Sequence, residues 1–206
     1  MAVPPPRKML QRSNPSDPAK AALRVELRAA RDGFVGDLAP AERVRLEDQA
    51  AVRLVSLLAG AACVAFYRAI GSELDCSQGM LAAARAGIAI ALPHIDDSGE
   101  TMRFLRWAPG EQLVPGWRRL LQPAAGSPEI DPAIIVAPLL GFDSAGWRIG
   151  QGAGFYDRAF AARPMVKKIG LGWSVQERPA IAHDAWDVPL DMVVTEDGVI
   201  VRKAVS

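Results

Sequence analysis

Apolar residues along this chain recur at two spacings, and the alternation between them sets the expected architecture. From Lys20 onward, Leu23, Leu27 and Phe34 fall on one face of a helical period. Ser16-Asp17-Pro18 provides a capping residue and an early proline as the entry to that helix. Lys20, Arg24, Arg28 and Arg31 form an adjacent stripe of the same helix. Pro40 opens a second helix, with Val44, Leu54, Leu57 and Leu58 as core positions and Gly60 as its stop. The apolar run over 61–67 reads as a buried strand. A helix over 74–86 ends at Gly87, and 88–92 is another short strand, which Pro93 ends.

Residues 102–107 alternate like a half-exposed strand, within a less regular region that runs to 123. Residues 134–139 read as a strong buried strand. A glycine-rich loop follows, then a helix over 156–162 and strands over 168–172 and 192–195. Glu196-Asp197-Gly198 turns the chain into a last strand over 199–201. Strands alternating with helices predict an α/β sheet covered on both faces.

The chain has 206 residues, enough for one sizeable core. The expectation is a disordered N-terminal segment over 1–17 and a single domain over 18–206. Half of the residues are hydrophobic and the net charge is only +1. That balance gives no reason to expect nucleic acid or a membrane surface as a partner. Cys63 and Cys76 do not pair as CxxC, which argues against a zinc ribbon or a disulfide scaffold. The N-terminal residues mix Pro, Arg, Lys and Ser without a continuous apolar core, so a signal peptide is not expected. A cytoplasmic monomer is the default expectation.

The densest chemistry lies in Pro138-Leu-Leu-Gly-Phe-Asp-Ser-Ala-Gly-Trp-Arg-Ile-Gly-Gln-Gly-Ala-Gly-Phe-Tyr-Asp-Arg158. Gly150, Gly152 and Gly154 alternate and leave the backbone bare, so a ligand can approach its N–H groups. The spacing is not a dinucleotide fingerprint: counting each glycine as the first position, the sixth is Phe155 from Gly150 and Asp157 from Gly152. No Walker A ending and no G-x-S-x-G elbow is present. His94 and His183 are the only histidines, too few for a His-rich metal cluster. A helix starting near Tyr156 would aim its free N–H groups at the loop, which suits phosphate. Arg148 could stabilise a transferring phosphoryl group, and Asp157 could hold Mg²⁺. Asp143 is placed to shape the turn before the loop.

This segment resembles the signature of the 5-formyltetrahydrofolate cyclo-ligase family, also called 5,10-methenyltetrahydrofolate synthetases. Weaker pieces recur in family order: Lys20-Ala-Ala-Leu-Arg24, Phe66-Tyr67, Gly71-Ser-Glu-Leu-Asp75, Ile90-Ala-Leu-Pro93, Met102-Arg-Phe104, Leu121-Gln-Pro123 and Val188-Pro-Leu-Asp-Met-Val-Val-Thr195. The resemblance implies a Rossmann-like three-layer sandwich of the sugar-phosphate isomerase/CoA transferase-like type. It also implies ATP- and Mg²⁺-dependent closure of 5-formyltetrahydrofolate to 5,10-methenyltetrahydrofolate, through phosphorylation of the formyl oxygen. A non-catalytic folate-binding paralogue, or another small-molecule enzyme on the same scaffold, is the alternative.

Carried over residue by residue, the resemblance assigns ATP to Lys20, Arg24, Arg148, Ile149, Gly150, Gln151, Gly152, Ala153, Gly154, Phe155 and Tyr156. It assigns folate to Glu73, Gly152, Ala153, Gly154 and Phe155, and Mg²⁺ to Asp157 and Asp191. Arg148 and Tyr156 are the catalytic candidates. Arg28 and Arg31 read as a solvated basic face, and Trp107 is either a pterin stacker or a core or surface residue. Phe155 stands where tyrosine is usual, and Cys76 where threonine is common. Within His183-Asp-Ala-Trp-Asp187, either Asp184 or Asp187 matches the family's His-Asp acid.

Overall fold

The computed structural model describes residues 18–203. The expected disorder over 1–17 and the Ser16-Asp17 cap lie outside the described residues. Among the described residues there are four α-helices: α1 Pro18–Asp37, α2 Pro40–Ser56, α3 Ser77–Arg85 and α4 Phe155–Ala162. The strands run β1 Cys63–Ala65, β2 Ala89–Ile95, β3 Met102–Trp107, β4 Val114–Pro115, β5 Leu121–Gln122, β6 Ile134–Pro138, β7 Gly141–Phe142, β8 Arg148–Ile149, β9 Lys167–Leu171, β10 Met192–Val194 and β11 Val199–Val201.

Seven strands form the central sheet in the order β11-β10-β9-β6-β1-β2-β3. The five inner strands pair in parallel, and β3 and β11 are antiparallel edges. Side chains alternate between the two faces, as the pleat requires. Val64, Ile90, Val136, Ile169 and Val194 pack with Leu54 and Leu58, and with Met80 and Ala83 of α3. Ala65, Ala91, Ile135, Ala137 and Val193 pack with Ala159 and Phe160 of α4. The mixed α/β sheet covered on both faces is therefore as the alternation of periods predicts. Among the described residues, no helix is long and apolar enough to cross a membrane.

Some local expectations change. Val44 is 57% exposed rather than a core residue. The buried residues of α2 are Ala50, Ala51 and Leu54, so only its C-terminal half reaches the sheet. Pro93 does not end β2, which continues to Ile95. On that edge of β2, Ala89 N–H donates to Ala62 and Ile95 N–H to the Gln122 side chain. The N–H that Pro93 lacks would point past the end of β1, so no ladder bond is lost. Strand β1 is shorter than its apolar run. Helix α3 begins only at Ser77, whose N–H and hydroxyl both donate to Asp75. Two small hairpins, β4–β5 and β7–β8, were not anticipated.

The topology marks one end of the sheet. Strands β1 and β6 are neighbours, yet β1 continues through α3 to β2 on one side and β6 through α4 to β9 on the other. Ligands of open α/β sheets lie at the carboxyl ends of strands where the connections diverge in this way. The segment after β1 carries Glu73, and the segment after β6 carries the glycine loop.

Candidate active site

The β7–β8 hairpin delivers the glycine loop. As expected of a turn-shaping residue, Asp143 accepts the N–H groups of Ala145 and Trp147 through Oδ1 and that of Ile181 through Oδ2. Ile149 turns its side chain into a small core with Leu27, Leu140 and Ile181. The next residues are open: Gln151, Gly152 and Ala153 are exposed. Gly152 has φ +98° and Gly154 φ +67°, conformations that favour glycine. Gly154 is the N-cap of α4 and offers no side-chain cap, so the first N–H groups of the helix stay available to an anion.

The basic stripe of α1 runs across this loop. Lys20 Nζ donates to Asp184 Oδ2 at 2.5 Å and Asp187 Oδ2 at 3.0 Å. Arg24 Nε donates to the Gly150 carbonyl at 3.0 Å, and Arg28 Nη2 to Gln151 Oε1 at 2.6 Å. Burial pulls the Lys20 pKa down, but the bonds and charges of Asp184 and Asp187 outweigh it and hold the ammonium above its usual range. Both alternatives for the acid before the last parallel strand thus meet the same lysine. Their segment is anchored by His183, stacked on Trp147 with ring centroids 3.6 Å apart.

Arg148 is held rather than free. Its Nη2 donates to Asp157 Oδ1 at 2.6 Å, its Nη1 donates to the Val188 carbonyl at 2.6 Å, and its guanidinium lies over the Phe160 ring. Asp157 Oδ1 also accepts the Val188 N–H at 3.3 Å. Asp191 lies at the other end of the sheet edge, where its Oδ2 accepts the Lys168 N–H at 2.8 Å. Among the described residues, no three His, Cys, Asp or Glu side chains gather as a metal cluster. The bonds described on Asp157 all fall on Oδ1 and those on Asp191 on Oδ2. Asp157 keeps a second hard oxygen of the kind Mg²⁺ takes alongside phosphate, but Asp191 stands beside Lys168 where β9 and β10 begin, so the structure does not bring the two expected Mg²⁺ residues together.

Glu73 is buried, at 7% exposure, and its Oε2 accepts the Ile70 N–H at 3.1 Å. Burial raises its pKa, against the pull of that bond, the Arg31 charge and the Gln151 side chain. Tyr156 is pushed far up by burial and by the charges of Glu73 and Cys76, so it is a phenol and not a phenolate. Cys76 donates to the Tyr67 carbonyl, and burial pushes its thiol up to about 12, which makes it a packing residue and not a nucleophile. Trp107 packs against the edge of the core and donates its indole N–H to the Glu111 carbonyl.

Sequence reasoning missed several participants. Arg28 is not simply solvated, and Arg31 is buried. Trp117 meets Phe155 edge-on, with centroids 5.2 Å apart. The unbroken four-residue rhythm from Lys20 to Arg28 was the available signal for Arg28. Trp117 carried none, because its segment lacks periodicity.

These features define an α/β protein with a cation-lined glycine loop at the divergence point of a mostly parallel sheet. The chain belongs to the 5-formyltetrahydrofolate cyclo-ligase family, whose model matches residues 16–196. It is similar to the 5-formyltetrahydrofolate cyclo-ligase of Escherichia coli K12, with 29% identity over 167 residues, 77% of this chain and 92% of that protein. The mitochondrial enzyme of that name from Arabidopsis thaliana is 29% identical over 132 residues, 53% of this chain and 47% of that protein. The Aquifex aeolicus 5,10-methenyltetrahydrofolate synthetase structure superposes with a TM-score of 0.71 at 28% identity, covering 91% of this chain and 95% of that one. The Mycoplasma pneumoniae synthetase shares the fold, with a TM-score of 0.68 at 22% identity over 86% and 98% of the two chains. Family and relatives together support 5-formyltetrahydrofolate cyclo-ligase activity.

Proposed function

We propose that this chain closes 5-formyltetrahydrofolate to 5,10-methenyltetrahydrofolate at the expense of ATP, releasing ADP and phosphate. One observation carries the reading: the basic row of α1 lies on the glycine loop, with Arg24 on the Gly150 carbonyl, at the ligand-binding end of the sheet. In this reading Lys20 and Arg24 grip the ATP phosphates while the bare backbone of 150–154 and the start of α4 donate N–H groups. Glu73 accepts N–H donors of the pterin. Phe155 supplies an apolar ring beside the folate.

The chemistry needs no side-chain nucleophile. The formyl oxygen attacks the γ-phosphorus as the bond to the β-bridging oxygen breaks, and ADP leaves. The N10 lone pair then adds to the activated formyl carbon. Phosphate departs with the carbon–oxygen bonding pair, and the N10 proton goes to solvent. Positioning and charge stabilisation dominate such a transfer. Arg148 stabilises charge on the moving phosphoryl group, and Tyr156, kept protonated, orients it as a hydrogen-bond donor. Asp157 is the residue that would hold Mg²⁺, which when bound neutralises phosphate charge.

The proposal extends to a single catalytic domain over 18–206, a fold of the sugar-phosphate isomerase/CoA transferase-like type, and a cytoplasmic monomer. Incubation with 5-formyltetrahydrofolate, ATP and Mg²⁺ tests the activity by the absorbance of the methenyl product. Product that depends on ATP is expected. Its absence, or its formation without ATP, rejects the reading.

A further inference from the structure

Arg31 continues the basic stripe of α1 but is only 5% exposed. A buried cation normally has its donors satisfied. Its Nε donates to the Ser72 hydroxyl at 2.9 Å, and that hydroxyl donates onward to Asp32. Its Nη1 is buried without a hydrogen-bond partner, and no other buried side-chain nitrogen or oxygen among the described residues is in that state. Nη1 lies 3.8 Å from Glu73 Oε1, near enough for charge attraction and too far for a hydrogen bond. Glu73, in turn, is fixed through its other oxygen by the Ile70 N–H.

We infer that Arg31 is a positioning residue for the reaction: it acts through Glu73, holding that carboxylate ionised and turned toward the substrate's N–H donors. The inference rests on the proposed folate role of Glu73. The groups that act on Glu73 are Arg31 from α1, the Ile70 N–H and Tyr67 from the segment after β1, Gln151 from the glycine loop, and Tyr156 from α4. Arg31 is the cation in that set. The others are neutral or acidic, and burial opposes ionisation. Without Arg31 the charge that pulls the Glu73 carboxyl down against burial is lost.

The test uses the full chain with Arg31→Met, Arg31→Lys, Ser72→Ala and Glu73→Gln. An opposite charge at this range lowers a carboxyl pKa by about 1–3 units. Arg31→Met is therefore expected to move the acid limb of the folate kcat/KM profile up by roughly one pH unit or more. Arg31→Lys restores most of it, and the ATP KM stays put. Carboxyl ¹³C NMR titration, with Glu73→Gln fixing the assignment, reads the same change in Glu73 without turnover. If Arg31→Met does not fold, Ser72→Ala, which releases the guanidinium, is expected to raise the folate KM about tenfold. Glu73 titrating at the wild-type pH in folded Arg31→Met overturns the inference, as does an unchanged folate KM in Ser72→Ala. Wild-type protein without turnover rejects the proposed function and leaves the NMR titration to decide Arg31.

Discussion

Alanine at Gly150 separates the folding role of the glycine loop from its ligand role. A Cβ there meets no heavy atom within 4 Å, and Gly150 is not among the glycines with positive φ. Gly150→Ala therefore costs the fold nothing and, by narrowing the unfolded ensemble, adds about 0.4–1 kcal/mol. Gly152 differs: its φ of +98° strains any alanine, while the added Cβ would sit 3.5 Å from the Arg24 guanidinium carbon, an ordinary contact. The backbone term alone costs about 1–2 kcal/mol. In a chain of this length roughly 1 kcal/mol moves Tm by about 2–4 °C. Gly152→Ala is thus expected to melt several degrees below wild type and Gly150→Ala at or slightly above it. If the bare backbone at Gly150 admits ATP phosphates, a methyl group there loses one charge-assisted hydrogen bond, about 1.5–3 kcal/mol. That corresponds to an ATP KM higher by roughly 10- to 100-fold. Thermal melts and initial rates with ATP varied at saturating folate measure both. Gly150→Ala with wild-type Tm and wild-type ATP KM refutes the ligand role. Gly152→Ala with wild-type Tm refutes the conformational argument.

Further outcomes follow from the charges. The folded pKa of Glu73 is raised by burial, so its stability contribution is complete below the ordinary carboxylate range and lost as pH rises through the folded value. Glu73→Gln is accordingly expected to raise Tm at neutral pH, with the gain vanishing in acid, while folate turnover falls; a gap constant with pH contradicts this. Asp184→Asn with Asp187→Asn leaves the Lys20 ammonium, 13% exposed, without its partners. Because the Asp184 side chain is 42% exposed, the double change costs only about 1–2 kcal/mol at neutral pH. Lys20 has a raised folded pKa, so this contribution is present below the ordinary lysine value and disappears as pH rises through the folded one. Melts at neutral and strongly alkaline pH check it. Asp157→Asn removes the charge facing Arg148 and is expected to lower kcat at least about 100-fold, with Tm lower by only a few degrees. Equal loss of fold and rate would make the pair structural.

The sequence made some of this legible and hid the rest for physical reasons. Strands such as β1 and β6 are near-continuous apolar runs because both faces of a parallel sheet are covered. The glycine loop is local, so its bare backbone and flanking Arg148 and Asp157 can be read from adjacent residues. Arg31 could not be read this way. Its burial depends on Ser72 and Glu73, which the fold brings to α1 from the far end of β1. The same holds for Asp184 and Asp187, whose shared partner Lys20 lies at the opposite end of the chain. Val44 misled because helical period predicts a face but not how far along its axis a helix reaches the sheet. Pro93 misled because a missing N–H ends a strand only where the ladder needs it.

In the proposed reaction ATP's γ-phosphate is delivered to the folate formyl oxygen at the glycine loop. The most direct measurement uses 5-formyltetrahydrofolate carrying ¹⁸O in the formyl group, with ATP and Mg²⁺, and mass analysis of the phosphate released. One labelled oxygen is expected in each phosphate, formed in step with the methenyl product. Unlabelled phosphate, or no methenyl product, contradicts it.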